Sequence, residues 1–354
     1  MRQLERVKND LEEIGQVEQM PKMEGRPMIN YIIRRVLYGV LILAGVNLVT
    51  FFLFFSVNTP DDMARMNIGG KRVTQELIDK WKVERGYDKP LYWNDKEPGT
   101  AKLTDTIFWE RSVSLFTLHF GRADSESAGD IGHEVAGRMW VSIQLAAPIF
   151  VLQVIASTSF ALMLVMFRHT RFDLWGVVMC VLMLSISSLF YIIVGQFLFS
   201  RVLRLAPISG YASGLDAVRF LILPILLSAL ARLGAESRLY RAMFLEEIGK
   251  DYVRTARAKG LSETVVMFRH VLRNALIPII TSAGSYLPYV FLGSLVFESF
   301  FGIPGLGAYV IEAISKQDFA IVRTMVFVGS VLAIVSYILI DIAYTWADPR
   351  VRLT

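Results

Sequence analysis

Four short features carry residue types that could do chemistry. His133-Glu134 opens the HExxH pattern, in which two histidines one helical turn apart bind zinc, but position 137 is Gly137 and the second ligand is missing. Gly70-Lys71 would end a phosphate-binding loop, yet Arg65 stands where that loop needs glycine and Arg72 replaces the magnesium-binding Ser or Thr. Gly302-Ile303-Pro304-Gly305-Leu306-Gly307 is glycine-rich, but no strand precedes it and its spacing is not the dinucleotide fingerprint, so a re-entrant turn is expected there. Cys180 is the single cysteine, which excludes a disulfide framework and a cysteine-built metal site. The chain is therefore read as having no catalytic residues, no cofactor-binding residues and no metal site of its own.

What must position its residues is a membrane. The chain has 354 residues, of which 54% are hydrophobic and only 19% charged, too apolar for a soluble chain of that length. The net charge of +5 is too small to argue for a nucleic-acid surface once membrane-flanking basic residues are expected. A hydrocarbon core about 30 Å thick takes roughly 20 apolar residues of helix. Uncharged runs of that order cover 36–57, 139–167, 174–200 and 275–297, and 324–340 is a fifth that extends past Asp341 to Trp346. Residues 220–231 are a doubtful sixth, because Arg232 ends the run after twelve residues.

Basic residues settle the count, since Lys and Arg accumulate on the cytoplasmic side. With six spans and the amino terminus inside, the segments 1–35, 168–173, 237–274 and 348–354 hold 19 Lys and Arg, against 5 in the short outer loops 201–219 and 298–323. Omitting the doubtful span places the eight basic residues of 237–274 outside. The expected layout is a cytoplasmic extension over 1–30, a first span over 31–57, a periplasmic loop over 58–137 and a core of five spans over 138–354 that includes the cytoplasmic loop 237–274. Met1 and Met28 are both plausible starts, since 1–27 is polar and has the character of neither a signal peptide nor a span.

The outer loop is 80 residues long with charge −3, and 74–85 within it reads as an amphipathic helix showing Leu77, Ile78 and Trp81 on one face. The fourth span carries Ser228, Arg232 and Glu236 at i, i+4 and i+8 on one face. That face is read either as an interfacial helix end or as the lining of an aqueous pathway. In the cytoplasmic loop, Leu245, Ile248, Tyr252 and Ala256 recur at helical spacing, and after Gly260 the series restarts as Leu261, Val265, Phe268 and Leu272. The expectation is two short helices broken at a left-handed Gly260, with Ser262 capping the second and Glu263 at its positive end. A soluble partner would grip such a projecting pair.

The run Asp251-Tyr252-Val253-Arg254-Thr255-Ala256-Arg257-Ala258-Lys259-Gly260-Leu261, followed by Phe268-Arg269-His270-Val271-Leu272-Arg273-Asn274-Ala275-Leu276-Ile277-Pro278, closely resembles the coupling loop of permease subunits from bacterial ABC importers of the dipeptide, oligopeptide and nickel type. Tyr31-Ile32-Ile33-Arg34-Arg35, Pro207-Ile208-Ser209-Gly210, Phe301-Gly302-Ile303-Pro304-Gly305-Leu306-Gly307 and Asp348-Pro349-Arg350-Val351-Arg352 look like other segments of such subunits. The resemblance implies an all-α membrane protein with six transmembrane helices in the type I importer permease fold, set in a bacterial inner membrane with both termini cytoplasmic. It implies a non-catalytic subunit forming half of a pathway for peptides or peptide-like solutes, with nickel chelates or oligosaccharides as alternative cargo. The implied partners are a second homologous permease, two ATPase subunits that bind ATP and magnesium, an extracytoplasmic solute-binding protein and the lipid bilayer, with no nucleic acid. Asp251, Tyr252, Arg254, Thr255, Ala256, Arg257, Ala258, Lys259, Gly260 and Leu261 are the implied ATPase-coupling residues. A channel or receptor without energy coupling would also have six spans, but it leaves the projecting helix pair without a task.

Overall fold

The computed structural model describes residues 26–69, 73–125, 129–292 and 294–347. The expected amino-terminal extension lies outside these up to residue 25, as do Gly70, Lys71, Arg72 and the segment from Asp348 onward. From the amino end, α1 (Arg26–Val57) leads into a cap of short helices, α2 (Pro60–Ile68), α3 (Gln75–Arg85), α4 (Ala101–Thr104) and α5 (Ile107–Arg111). Then come α6 (Ile131–Met166), α7 (Arg171–Ser185), α8 (Ser188–Gly195) with a wider π turn over Gln196–Val202, and α9 (Ala217–Ile248). After the short α10 (Asp251–Ala258), α11 (Glu263–Gly284) re-enters the bundle, followed by α12 (Leu287–Leu292), α13 (Leu295–Phe301), α14 (Leu306–Ser315) and α15 (Phe319–Ala347). No strand is present among the described residues, so the chain is all-α as expected.

Helices α1, α6, α9 and α15 are each long and apolar enough to cross a membrane. The doubtful fourth span is thus a continuous helix of 32 residues that runs through Arg232. The spans expected at 174–200 and 275–297 are bent pairs: α7 and α8 meet at 91°, and α11 turns by 54° into the α12–α13 segment. At the first break Ser187 takes an extended conformation and its Oγ accepts the Phe190 N–H at 3.3 Å, which starts a new helix inside an apolar run. Counting each bent pair once gives six spans.

Contacts at the two ends agree with that count. Ser125 donates its N–H to Asp318 Oδ2 at 2.9 Å and Ala320 its N–H to Asp124 Oδ2 at 3.0 Å, so the loop after the first span meets the start of the last. An even number of crossings must lie between them, which requires α9 to span. At the other end Asp341 of α15 accepts from Tyr31 Oη at 2.9 Å and pairs with Arg35 at 2.8 Å, clasping the first span to the last.

The cap is built on the outer end of α1. Phe51 and Phe55 pack with Met63, Ala64, Ile78, Trp81, Tyr87 and Ile107 in one buried cluster. Thr59 and Asp62 form a reciprocal capping box that starts α2. On α3 the buried face is Ile78 and Trp81, whereas Leu77, expected beside them, is 45% exposed. Adjacent helical positions are about 100° apart, and Trp81 turns its face to stack on Tyr87 at 5.4 Å between centroids. Tyr87 in turn donates its hydroxyl to both oxygens of Asp124 at 3.0 Å, with the Arg323 guanidinium from α15 at 3.5 Å from the same hydroxyl. Burial and the Asp124 carboxylate push the Tyr87 phenol well above its ordinary range, which keeps it a donor.

A second buried acid organises the glycine-rich segment. Glu298 in α13 is fully buried and accepts from Ser142 Oγ at 2.8 Å, Gly307 N–H at 2.7 Å and Ala308 N–H at 3.1 Å. Its carboxylate thereby satisfies the orphan amides at the amino end of α14. A Cβ on Gly305 would sit 2.4 Å from Glu298 Oε2, and one on Gly307 would sit 2.7 Å from the Leu295 nitrogen. The glycines are there for this close approach, in a link between two short helices ahead of the last span.

Asp124→Ala removes the acceptor of Tyr87 and Ala320 and leaves Arg323 short of counter-charge. Such losses cost about 2–4 kcal/mol for buried groups. The variant is expected to unfold at lower temperature in detergent and to be cut by trypsin within the cap faster than wild type, whereas Asp62→Ala at the exposed capping box should leave both close to wild type. Identical proteolysis of Asp124→Ala and wild type would contradict this.

Candidate functional site

The loop between α9 and α11 is a rigid corner. Helix α9 ends at Ile248, two residues short of Lys250, whose extended backbone starts α10. The single first helix expected through Leu245, Ile248, Tyr252 and Ala256 is therefore two helices. The signal was Gly249, which sits at the C-cap of α9. Buried Glu247 fixes the corner by accepting from Lys250 Nζ and the Tyr252 hydroxyl. Burial, and then this carboxylate, push the Tyr252 phenol up to about 12, so it stays protonated as a donor.

Helix α10 has two faces of different character. Val253 and Ala256 are buried against Tyr240, Phe244 and Ile248 of α9, Leu162 and Val165 of α6, and Val266, Met267 and Val271 of α11. The Asp251 and Arg254 side chains, 95% and 74% exposed, point away with Thr255, Ala258 and Lys259. Leu261 N–H donates to Ala256 O at 3.4 Å and Gly260 N–H to Arg257 O at 2.9 Å, the paired bonds of a Schellman end with Gly260 at its left-handed position, φ +77°. Arg257 then reaches across the turn to grip Glu263 through Nε at 3.1 Å and Nη2 at 2.5 Å. Glu263 so acts as a partner of Arg257, while Ser262 occupies the N-cap position without a side-chain hydrogen bond.

The apolar series after the turn differs from the expected one. Val266, Met267, Val271, Ala275 and Ile279 are buried, whereas Leu261 is 40%, Val265 38% and Phe268 51% exposed. Only Leu272 of the expected four packs on the core. Wider π turns over Val266–Val271 rotate the buried face relative to a regular helix, which a 3.6-residue period cannot register. The outcome is a set of exposed apolar side chains beside an exposed charged helix face, at the end of the bundle opposite the cap.

A second feature lies within the spans. A cavity of about 310 Å³ is bounded by α6, α8, α9 and the α11–α12 bend, with Gln153, Ser188, Ser228, Arg232, Tyr286 and Ser294 among its lining residues. Two of the three residues expected on one face of the fourth span, Ser228 and Arg232, are thus brought to it. Glu236 is not in its wall: it is 4% exposed, with the hydroxyl-bearing Tyr240 and Tyr286 as electrostatic neighbours. Sequence reading missed Tyr286, whose ring carries the Arg232 guanidinium 4.2 Å from its centroid. It also missed the bidentate Arg241–Asp173 pair, at 2.9 and 2.8 Å, which ties α9 to α7 near the same loop. No cluster of metal-binding side chains occurs among the described residues.

Residues 136–353 match the family described as "Binding-protein-dependent transport system inner membrane component", and 28–97 match the corresponding amino-terminal family. A permease protein of Brucella abortus (strain 2308) is 32% identical over 330 residues, covering 92% of this chain and 99% of that one. The di/tripeptide transport system permease protein DppB of Pseudomonas aeruginosa is 31% identical over 351 residues, with 92% and 99% covered, and the glutathione transport system permease protein GsiC of Shigella flexneri is 29% identical over 328 residues at the same coverage. On these matches, which take in the α10 loop and the bundle together, the chain belongs to the binding-protein-dependent inner membrane permeases of ABC importers.

Proposed function

We propose that this chain forms half of the translocation pathway of an ATP-driven importer of peptides or peptide-like solutes, and that Asp251 to Leu261 is where its ATPase subunits attach. The observation that carries the attachment site is the two-faced α10: Val253 and Ala256 are buried in the bundle while Asp251, Arg254, Thr255 and Lys259 face outward. A partner that displaces α10 displaces a close-packed cluster reaching α6, α9 and α11 together, because well-packed interiors move as units. The peptide assignment is supported by relatives named for di/tripeptide and glutathione transport. Nickel chelates and oligosaccharides are the other cargo such a subunit could serve.

Six helices alone would present Ser188 and Arg232 to lipid, so a second homologous permease closes the pathway. Two ATPase subunits bind ATP and magnesium, and their closure biases the pair between inward and outward access through differential contacts with α10. A solute-binding protein delivers cargo at the cap. The asymmetry of basic residues supports a bacterial inner membrane location with both termini and the α10 loop in the cytoplasm.

Reconstituted alone, the chain should neither bind nor hydrolyse ATP; with the second permease, two ATPases and the binding protein, vesicles should accumulate peptide only when ATP is supplied. ATP binding by the isolated chain at one mole per mole would defeat the proposal. The coupling role has its own test at Gly260. A Cβ there meets nothing within 4 Å, so substitution acts only through the positive φ, which costs about 1–2 kcal/mol for an ordinary L-residue. Gly260→Val should insert and pair with the second permease normally, copurify poorly with the ATPases and lose transport, whereas Gly260→Asn, which tolerates that conformation, should retain both. A Gly260→Val complex that copurifies and transports like wild type would refute the assignment of this loop.

A further inference from the structure

We infer that Arg232 is the group that receives the carboxylate of the transported solute, a reading that rests on the importer function proposed above. Arg232 is the sixteenth residue of the 32-residue α9 and lies in the inner half of the fourth span, five residues before the cytoplasmic loop begins at 237, still within the bundle. Charges at that depth are costly and are found paired, or facing a water-filled space where they act on an ion or solute. Arg232 has the ordinary means of pairing at hand and does not use it. Glu236 is one turn away at i+4, yet no hydrogen bond or ion pair engages Arg232 among the described residues.

Its guanidinium instead lies over Tyr286, 4.2 Å from the ring centroid, on the wall of the 310 Å³ cavity. A guanidinium held over a ring by cation–π attraction leaves N–H groups available for hydrogen bonding, which suits two-point recognition of a planar carboxylate. Among the described residues Arg232 is the only Lys, Arg, Asp or Glu lining the cavity; Gln153, Ser188, Ser228 and Ser294 there are neutral. One cation among neutral donors and acceptors selects for an anionic end, not for a zwitterion held at both ends. Tyr286 stands at the bend between α11 and α12, so an occupied Arg232 also contacts the joint at which the fifth span changes direction.

The test uses the complete complex in proteoliposomes, with binding protein saturated by either of two probes, tri-alanine or tri-alanine C-terminal amide. The wild-type complex should import the free acid at least tenfold faster than the amide. Arg232→Gln should lower acid import to the amide rate and so bring the acid-to-amide ratio to about one, in a complex that still assembles; Arg232→Lys, which keeps the charge but not the fork, should fall between them. Equal import of acid and amide by wild type, an acid preference retained in Arg232→Gln, or equal loss of both probes in that variant would each overturn the assignment. A wild-type complex that accumulates neither probe with ATP would overturn the importer reading as well, and so the two failures are told apart.

Discussion

Every polar group carried into the hydrocarbon must find its partner within the protein, and the arrangement of this chain follows from that constraint. Several acids answer it locally. Glu298 gathers the amides that begin α14, Asp124 and Asp318 hold the cap to the first turn of α15, and Asp341 closes the opposite end on Tyr31 and Arg35. The first and last spans are thereby joined at both ends: by Arg35 and Asp341 at one, and through the cap built on Phe51 and Phe55 at the other. The middle spans, bent at Ser187 and at Tyr286, lie within this frame and hold the polar cavity.

The same constraint explains why the α10 loop is rigid. A short helix of eight residues has little stability of its own in water, because nucleation is costly. Here it is fixed by Val253 and Ala256 in the core, by Glu247 at the corner before it, by the Schellman end at Gly260 and by Arg257 on Glu263 after it. Its outward face is left free of contacts with the bundle. A force applied to that face enters the spans through packed side chains, not through a flexible linker.

Much of this was legible in the sequence, and the parts that were not share a cause. Span positions followed from apolar length, and the fourth span from the sidedness of Lys and Arg, because both effects are set by the lipid and act residue by residue. Gly260 was legible because few other residues adopt a positive φ, and Ile78 and Trp81 because their spacing matches one helix face. Leu77 and the series from Leu261 were placed on the wrong face, since neighbouring positions and π turns rotate a face without altering composition. The breaks at Ser187 and Tyr286 sit inside apolar runs, which carry no periodic signal to interrupt. The partners in the cap network were beyond reach: Tyr87 and Arg323 are 236 residues apart, and no local pattern links them.

Attachment of ATPases to α10 requires its loop and the cap to face opposite sides of the membrane, with the loop in the cytoplasm. In a Cys180→Ser background, single Lys102→Cys and Thr255→Cys variants can be exposed to a membrane-impermeant maleimide on intact spheroplasts and on inside-out vesicles. Both positions are on exposed surface of the subunit, or near it, so labelling reports sidedness. Labelling of Lys102→Cys only on spheroplasts and of Thr255→Cys only on inside-out vesicles is the expected result. Labelling of both from one side, or the reverse pattern, would contradict the orientation and, with it, the attachment of cytoplasmic ATPases to this loop.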